Sequence, residues 1–165
     1  MIRVVWGGGT GPTALASYDA ALAAAGVHNY NLVRVSSVIP ADATVETPGT
    51  APALGPVGGR LTVVEARATG EGEVAACLGW ATAERGGLFY EAGVGSRVHG
   101  ESVASDDDPA AAAASRVREG LAAGCALREW SFGAPETRTA TATATGEYAT
   151  AVVLGVYGEA DPLPR

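Results

Sequence analysis

The chain predicts an α+β fold in which β-sheets stack on one another and helices flank them. Strand-like segments outnumber helical ones, and the two helical segments stand far apart in sequence. Towards the C-terminus, threonine alternates with small residues over Thr137 to Thr145, the pattern of a half-buried strand. The 165 residues contain no tandem repeat and are enough to bury one core, so a single domain over residues 1–165 is expected.

Ile2 to Trp6 reads as a first strand, and Gly7 to Pro12 as a tight connection into a helix capped by Thr13. That helix covers Ala14 to Ala25 and is closed by Gly26. Leu15, Tyr18 and Leu22 define its larger apolar face, and Asp19 lies on the same face. A carboxylate there either sits at the wet edge of a wide stripe or is kept for a cationic partner. Val27 to Tyr30 reads as a turn. Asn31-Leu32-Val33-Arg34-Val35-Ser36-Ser37-Val38-Ile39-Pro40 then reads as a central strand that Pro40 ends. Ala41 to Gly59, rich in proline and glycine, is expected to be an irregular loop.

Arg60 to Ala68, Glu73 to Ala83 and Gly87 to Val94 are predicted strands, the last carrying Glu91. Asp108-Pro109 before an alanine tract marks a helix start, with the acids of Asp106 to Asp108 at its positive end, and Gly124 marks its end. Strands are expected at Leu127 to Phe132, Thr137 to Thr145 and Glu147 to Tyr157.

Composition excludes several classes of function. Hydrophobic residues make up 47% and charged ones 18%, as in a packed protein rather than a disordered one. A formal charge of −7 disfavours nucleic acid and anionic membranes and suits a cationic ligand. No apolar run is long enough to span a bilayer and no leader precedes the first strand, so a cytoplasmic protein is expected. All 11 basic residues are arginines. Without lysine the chain can hold no pyridoxal phosphate Schiff base and no Walker-type phosphate loop. Gly7-Gly8-Gly9-Thr10-Gly11-Pro12 also fails the dinucleotide fingerprint, because Pro12 stands at the third glycine. Cys77 and Cys125 lack metal or redox spacing and read as apolar fillers. His28 and His99 form no ligand pattern, so no metal is expected.

On spacing alone, the paired serines Ser36-Ser37 could be a polar strand terminus. The motif N-L-V-R-V-S-S-V-I-P, with T-A-L-x-x-Y-D-A-A-L upstream and G-L-F-Y-E downstream, resembles the pyruvoyl-dependent arginine decarboxylase family. Likeness is strongest over residues 13–40 and 86–92. It implies an αββα sandwich that forms trimers, with active sites between neighbouring subunits. It also implies self-cleavage between Ser36 and Ser37, giving chains 1–36 and 37–165. The Ser37 hydroxyl would attack the Ser36 carbonyl, and elimination and hydrolysis would leave a pyruvoyl group at position 37. A ketone conjugated to an amide is an electron sink for decarboxylation, the task a pyridine cofactor otherwise performs.

By the same resemblance, Asn31 assists processing, Glu91 returns a proton to the substrate carbon, and Asp19 meets the substrate guanidinium, which suits a bidentate carboxylate. A donor such as Glu91 needs a raised pKa, and Leu88, Phe89 and Tyr90 make an apolar setting for it. The implied reaction takes L-arginine to agmatine and carbon dioxide, an entry to polyamine synthesis. Tyr18 in place of the family's frequent phenylalanine, together with His28 and Tyr30, bears on specificity. A sister decarboxylase of another amino acid, or an uncut binding or scaffold domain that kept the fold, are the rival readings.

Overall fold

The computed structural model describes residues 1–95, 97–98, 101–102 and 108–165. His99, Asp106 and Asp107 therefore lie outside the described residues. In chain order the elements are β1 (Ile2–Gly11), α1 (Ala14–Ala25), β2 (Asn31–Arg34), β3 (Val38–Ile39), β4 (Val45–Gly49), β5 (Arg60–Ala83) and β6 (Gly86–Gly95). A short pair, β7 (Arg97–Val98) and β8 (Glu101–Ser102), precedes α2 (Pro109–Ala126) and β9 (Glu136–Asp161).

The frame is one ribbon. β5 and β9 run antiparallel along almost their whole lengths, and their register slips between Gly70 and Gly72. Gly72 and Gly146 take positive φ there, a conformation that suits glycine. Beyond the slip the sheet folds back over itself. The first layer holds β2, the start of β5, the end of β9, β1 and β4; the second holds β3, β6, the end of β5 and the start of β9. Val64, Ala66 and Ala68 of one layer share a buried cluster with Val74, Ala76, Leu78, Trp80 and Phe89 of the other. α1 covers the outer face of the first layer over Val63, Val152 and Leu154. α2 covers the outer face of the second over Ala75, Cys77 and Val94. Helix, sheet, sheet, helix is the α+β arrangement expected.

Several boundaries differ from expectation. β1 does not stop at Trp6 but stays paired with β9 to Gly11, opposite Tyr148. Its glycines lie in a strand because α1 rests directly on it: a Cβ on Gly9 would fall 2.5 Å from the Ala21 nitrogen. That use leaves no loop to cradle a phosphate. Close approach also selects the helix face. α1 buries Ser17, Ala21, Leu22 and Ala25, whereas Leu15 is 75% exposed and Asp19 is exposed. Thus Ser17, Ala21 and Ala25 meet the sheet together with Leu22, while Leu15 and Asp19 of the expected face turn outward.

The strand expected through Asn31 to Pro40 is two short edge strands in different layers, broken at the serines. The 41–59 passage contains β4, parallel to β1. The strands expected at 60–68 and 73–83 are one bent strand, as are those at 137–145 and 147–157. Leu127 to Phe132 is not a strand; Trp130 and Phe132 stack on each other instead.

Both N-caps and Gly26 stand as expected, with Ala16 N–H donating to Thr13 Oγ1 and Ala110 N–H to Asp108 Oδ1. α2 runs two residues past Gly124. Cys77 is buried and free, while Cys125 is free and half-buried rather than fully packed. Among the described residues no helix is long and apolar enough to cross a membrane, and no three His, Cys, Asp or Glu side chains cluster as metal ligands would.

Candidate active site

The serine pair occupies the step from one layer to the other. Val33 and Arg34 lie beside Thr62 and Val63 of β5 in the first layer, and Val35 N–H still donates to Val63 O at 3.0 Å. Three residues later Val38 pairs with Leu88 of β6 in the second layer. Ser36 and Ser37 bridge the two, Ser36 exposed and Ser37 half-buried. Both ends of the crossing are pinned. Phe89 N–H donates to Ser37 O at 2.7 Å, and Val38 N–H turns back to Ser36 O at 2.9 Å. That last bond spans two residues and makes a γ-turn centred on Ser37, of the inverse kind because Ser37 is not among the residues with positive φ.

Glu91 stands two residues beyond Phe89 on β6, on the same face by strand alternation. Its strand passes close over β5: a Cβ on Gly93 would lie 2.0 Å from Arg67 O. Partial desolvation, first, and the neighbouring Glu65 charge, second, push the Glu91 carboxyl above its ordinary value. Arg34 and a hydrogen bond from the Glu65 backbone N–H pull the other way. That N–H is on the edge of β5 just past the end of β2, where no strand partner follows.

Glu65 is the feature the sequence reading missed. It follows Leu61 and Val63 on the α1-facing side of β5, and its side chain is only 2% exposed. A buried carboxylate persists only if it is paired. Arg34 Nη2 meets its Oε1 at 2.6 Å, and the Tyr18 hydroxyl donates to its Oε2 at 2.5 Å. Arg67 lies over the Tyr18 ring at 4.3 Å, a cation–π contact. A glutamate at the third position of the Leu61, Val63, Glu65 alternation was the available signal.

The remaining expected residues lie elsewhere on the chain. Asn31 opens β2, five residues before Ser36, a distance of roughly 16 Å in an extended strand. Its Nδ2 donates to Gly58 O at 2.7 Å rather than to the Ser36 carbonyl. Asp19 lines an open groove on α1 with Thr13, Leu15, Tyr18 and Leu22, and has no ion-pair partner among the described residues. A second groove, lined by Tyr18, Leu22, Tyr30, Asn31, Leu32 and Arg34, continues from it. Tyr30 is committed structurally, its hydroxyl accepting from Leu54 N–H at 2.9 Å, and His28 is exposed. The chain thus brings Ser36, Ser37, Glu65 and Glu91 to one crossing and leaves Asp19 and Asn31 on the α1–β2 surface.

The Ser36–Ser37 bond on its pinned crossing thus stands near a carboxyl whose pKa is raised above the ordinary value, chiefly by desolvation. A family model described as pyruvoyl-dependent arginine decarboxylase (PvlArgDC) matches residues 1–162. Two relatives, each called pyruvoyl-dependent arginine decarboxylase and found in two strains of Halobacterium salinarum, are 51% identical to this chain, covering 98% of it and 96% of their own length. By near-complete coverage as well as by its motifs, the chain belongs to the pyruvoyl-dependent arginine decarboxylase family.

Proposed function

We propose that this chain cuts itself between Ser36 and Ser37 and then decarboxylates L-arginine to agmatine and carbon dioxide. The observation that carries the reading is the Ser36–Ser37 peptide, held at both ends on the crossing between layers with Glu91 two residues from its β6 partner. The residues at this site fit a pyruvoyl group formed from Ser37. Ser36 is exposed, so a released 1–36 terminus meets no packed obstacle, and the carbonyl to be attacked already faces a donor. When formed, that group supplies the electron sink for loss of carbon dioxide.

The protein's own side chains do the rest. Glu91, whose pKa lies above the usual carboxylate value, keeps its proton to higher pH and delivers it to the substrate α-carbon. Glu65 raises the tendency of Glu91 to stay protonated, and its own charge is held by Arg34 and Tyr18. Asp19 receives the substrate guanidinium, with the aliphatic stem laid along Leu15 and Leu22. With active sites between subunits of a trimer, as the family resemblance implies, Asp19 and Asn31 serve the site of a neighbouring copy. The enzyme works in the cytoplasm and needs neither metal nor pyridoxal phosphate.

Intact mass spectrometry of the purified protein, with an agmatine assay, tests the reading. Two chains of residues 1–36 and 37–165, the larger gaining mass on borohydride reduction, are expected, together with agmatine from arginine. A single uncut chain that releases nothing from arginine would overturn it.

A further inference from the structure

We propose that the backbone N–H of Val38 is the donor that holds the Ser36 carbonyl oxygen while the chain cuts itself. The inference rests on the self-cleavage reading above and says which group stabilises the charge that cleavage creates. In the first step, Ser37 Oγ bonds to the Ser36 carbonyl carbon, the bond from that carbon to the Ser37 nitrogen breaks, and the hydroxyl proton ends on the nitrogen. Between bond making and bond breaking, negative charge sits on the Ser36 carbonyl oxygen. A donor already in place at that oxygen lowers the barrier, because nothing must reorganise as charge develops.

Val38 N–H meets the requirement in the uncut chain, at 2.9 Å from Ser36 O. Its aim is built into the fold. Ser37 C=O and Val38 N–H belong to one rigid trans peptide unit and point in opposite directions. Phe89 N–H fixes the carbonyl end of that unit at 2.7 Å, on the β6 side. The N–H end is then turned away from β6 and towards Ser36. The next peptide unit is fixed as well, by the Tyr157 hydroxyl donating to Val38 O at 3.1 Å. Val38 N–H makes no bond in the β3–β6 ladder, so this donor is free for the turn. Asn31 offers no such bond within the protomer, since its side-chain amide is spent on Gly58 O.

The test replaces Val38 by its α-hydroxy acid, 2-hydroxy-3-methylbutanoic acid, through a chemically acylated suppressor tRNA. This exchanges one N–H for an oxygen and keeps the side chain and the Ser37 carbonyl. Appearance of the 1–36 fragment is followed by intact mass, which separates it from any 1–37 fragment made by hydrolysis of the new ester. With one charge-stabilising donor lost, cleavage should slow on the order of 100-fold. Slowing by less than about tenfold would overturn the assignment. The wild-type chain run alongside keeps the two claims apart: if it does not cut, self-cleavage itself fails. A second measurement needs no ester. In the Ser37→Ala chain, which has no attacking hydroxyl, the Val38 amide should exchange with deuterium far more slowly than an exposed amide; exchange at the unprotected rate would equally overturn the proposal.

Discussion

The two helices cover the two outer faces of the folded ribbon, and they do it with different materials. Under α2 the buried contact is apolar: Ala75, Cys77, Val94, Ala113 and Val117 pack together. Under α1 the apolar contact stops at Val63, and the next residue on that face is Glu65, held by Arg34 and Tyr18 with Arg67 above the ring. Burying a carboxylate costs stability unless its partners are in place, so an interface built for packing alone would resemble the one under α2. The charged cluster lies where β2 ends, the chain crosses between layers and Glu91 reaches back to β5. The difference sets the α1 side apart as the one that buries a paired carboxylate, and four experiments break or sharpen it.

The largest effect is expected at Glu91. Glu91→Gln keeps the shape of the side chain and removes its proton. Self-cleavage should proceed, so mass spectrometry still finds two chains, while kcat for arginine falls by about 10²- to 10⁴-fold, the usual worth of a general acid. A variant that turns over at the wild-type rate would move the proton source elsewhere.

Asp19→Ala comes next. An exposed carboxylate in an apolar-walled groove discriminates through a charge-assisted bond, so kcat/KM for arginine should fall by about ten- to a hundredfold, with cleavage unaffected. An unchanged KM for arginine would point to a different substrate side chain.

Glu65→Gln tests the cluster through pH. Glu91 is raised first by desolvation and second by Glu65, whereas Arg34 lowers it. The acid must be protonated to act, so activity is present below its pKa and lost as pH rises through it. Removing the Glu65 charge also frees Arg34 to act on Glu91. Both changes lower the Glu91 pKa, and the alkaline limb of the kcat profile should move to lower pH. A limb that stays in place would reduce Glu65 to a packing role.

What could be read from the sequence follows from how local each signal is. The caps at Thr13, Gly26 and Asp108 depend on a few neighbouring atoms, and the structure has each of them. The serine pair, Glu91 and Asp19 stand in short motifs, so resemblance alone singles them out. By contrast, the break of the Asn31 to Pro40 run depends on where Val63 and Leu88 lie, one before and one after the fold in β5. The burial of Glu65 needs Tyr18 and Arg34, 47 and 31 residues away in the chain. Large residues on α1 misdirect in the same way. They predict an inward face of Leu15, Tyr18 and Leu22, yet Gly7, Gly9 and Gly11 of β1 admit the helix backbone so closely that Ser17, Ala21 and Ala25 face the sheet beside Leu22 and Leu15 is left outside.

That close seat supplies the finest test of the comparison. Gly9→Ala places a methyl 2.5 Å from the Ala21 nitrogen and 2.6 Å from the Ala20 Cβ, so α1 must lift. Val117→Ala instead removes two methyls from the apolar contact under α2, where Val117 is wholly buried. Both should cost about 1–3 kcal/mol and lower the melting midpoint by a few degrees. Only the first shifts Tyr18, and with it the bond that holds Glu65. A few-fold loss of kcat is therefore expected for Gly9→Ala and none for Val117→Ala at the same loss of stability. Equal losses in both would mean that activity follows global stability and that the two faces differ in composition alone. A loss confined to Gly9→Ala ties catalysis to the seating of one helix on a glycine strand.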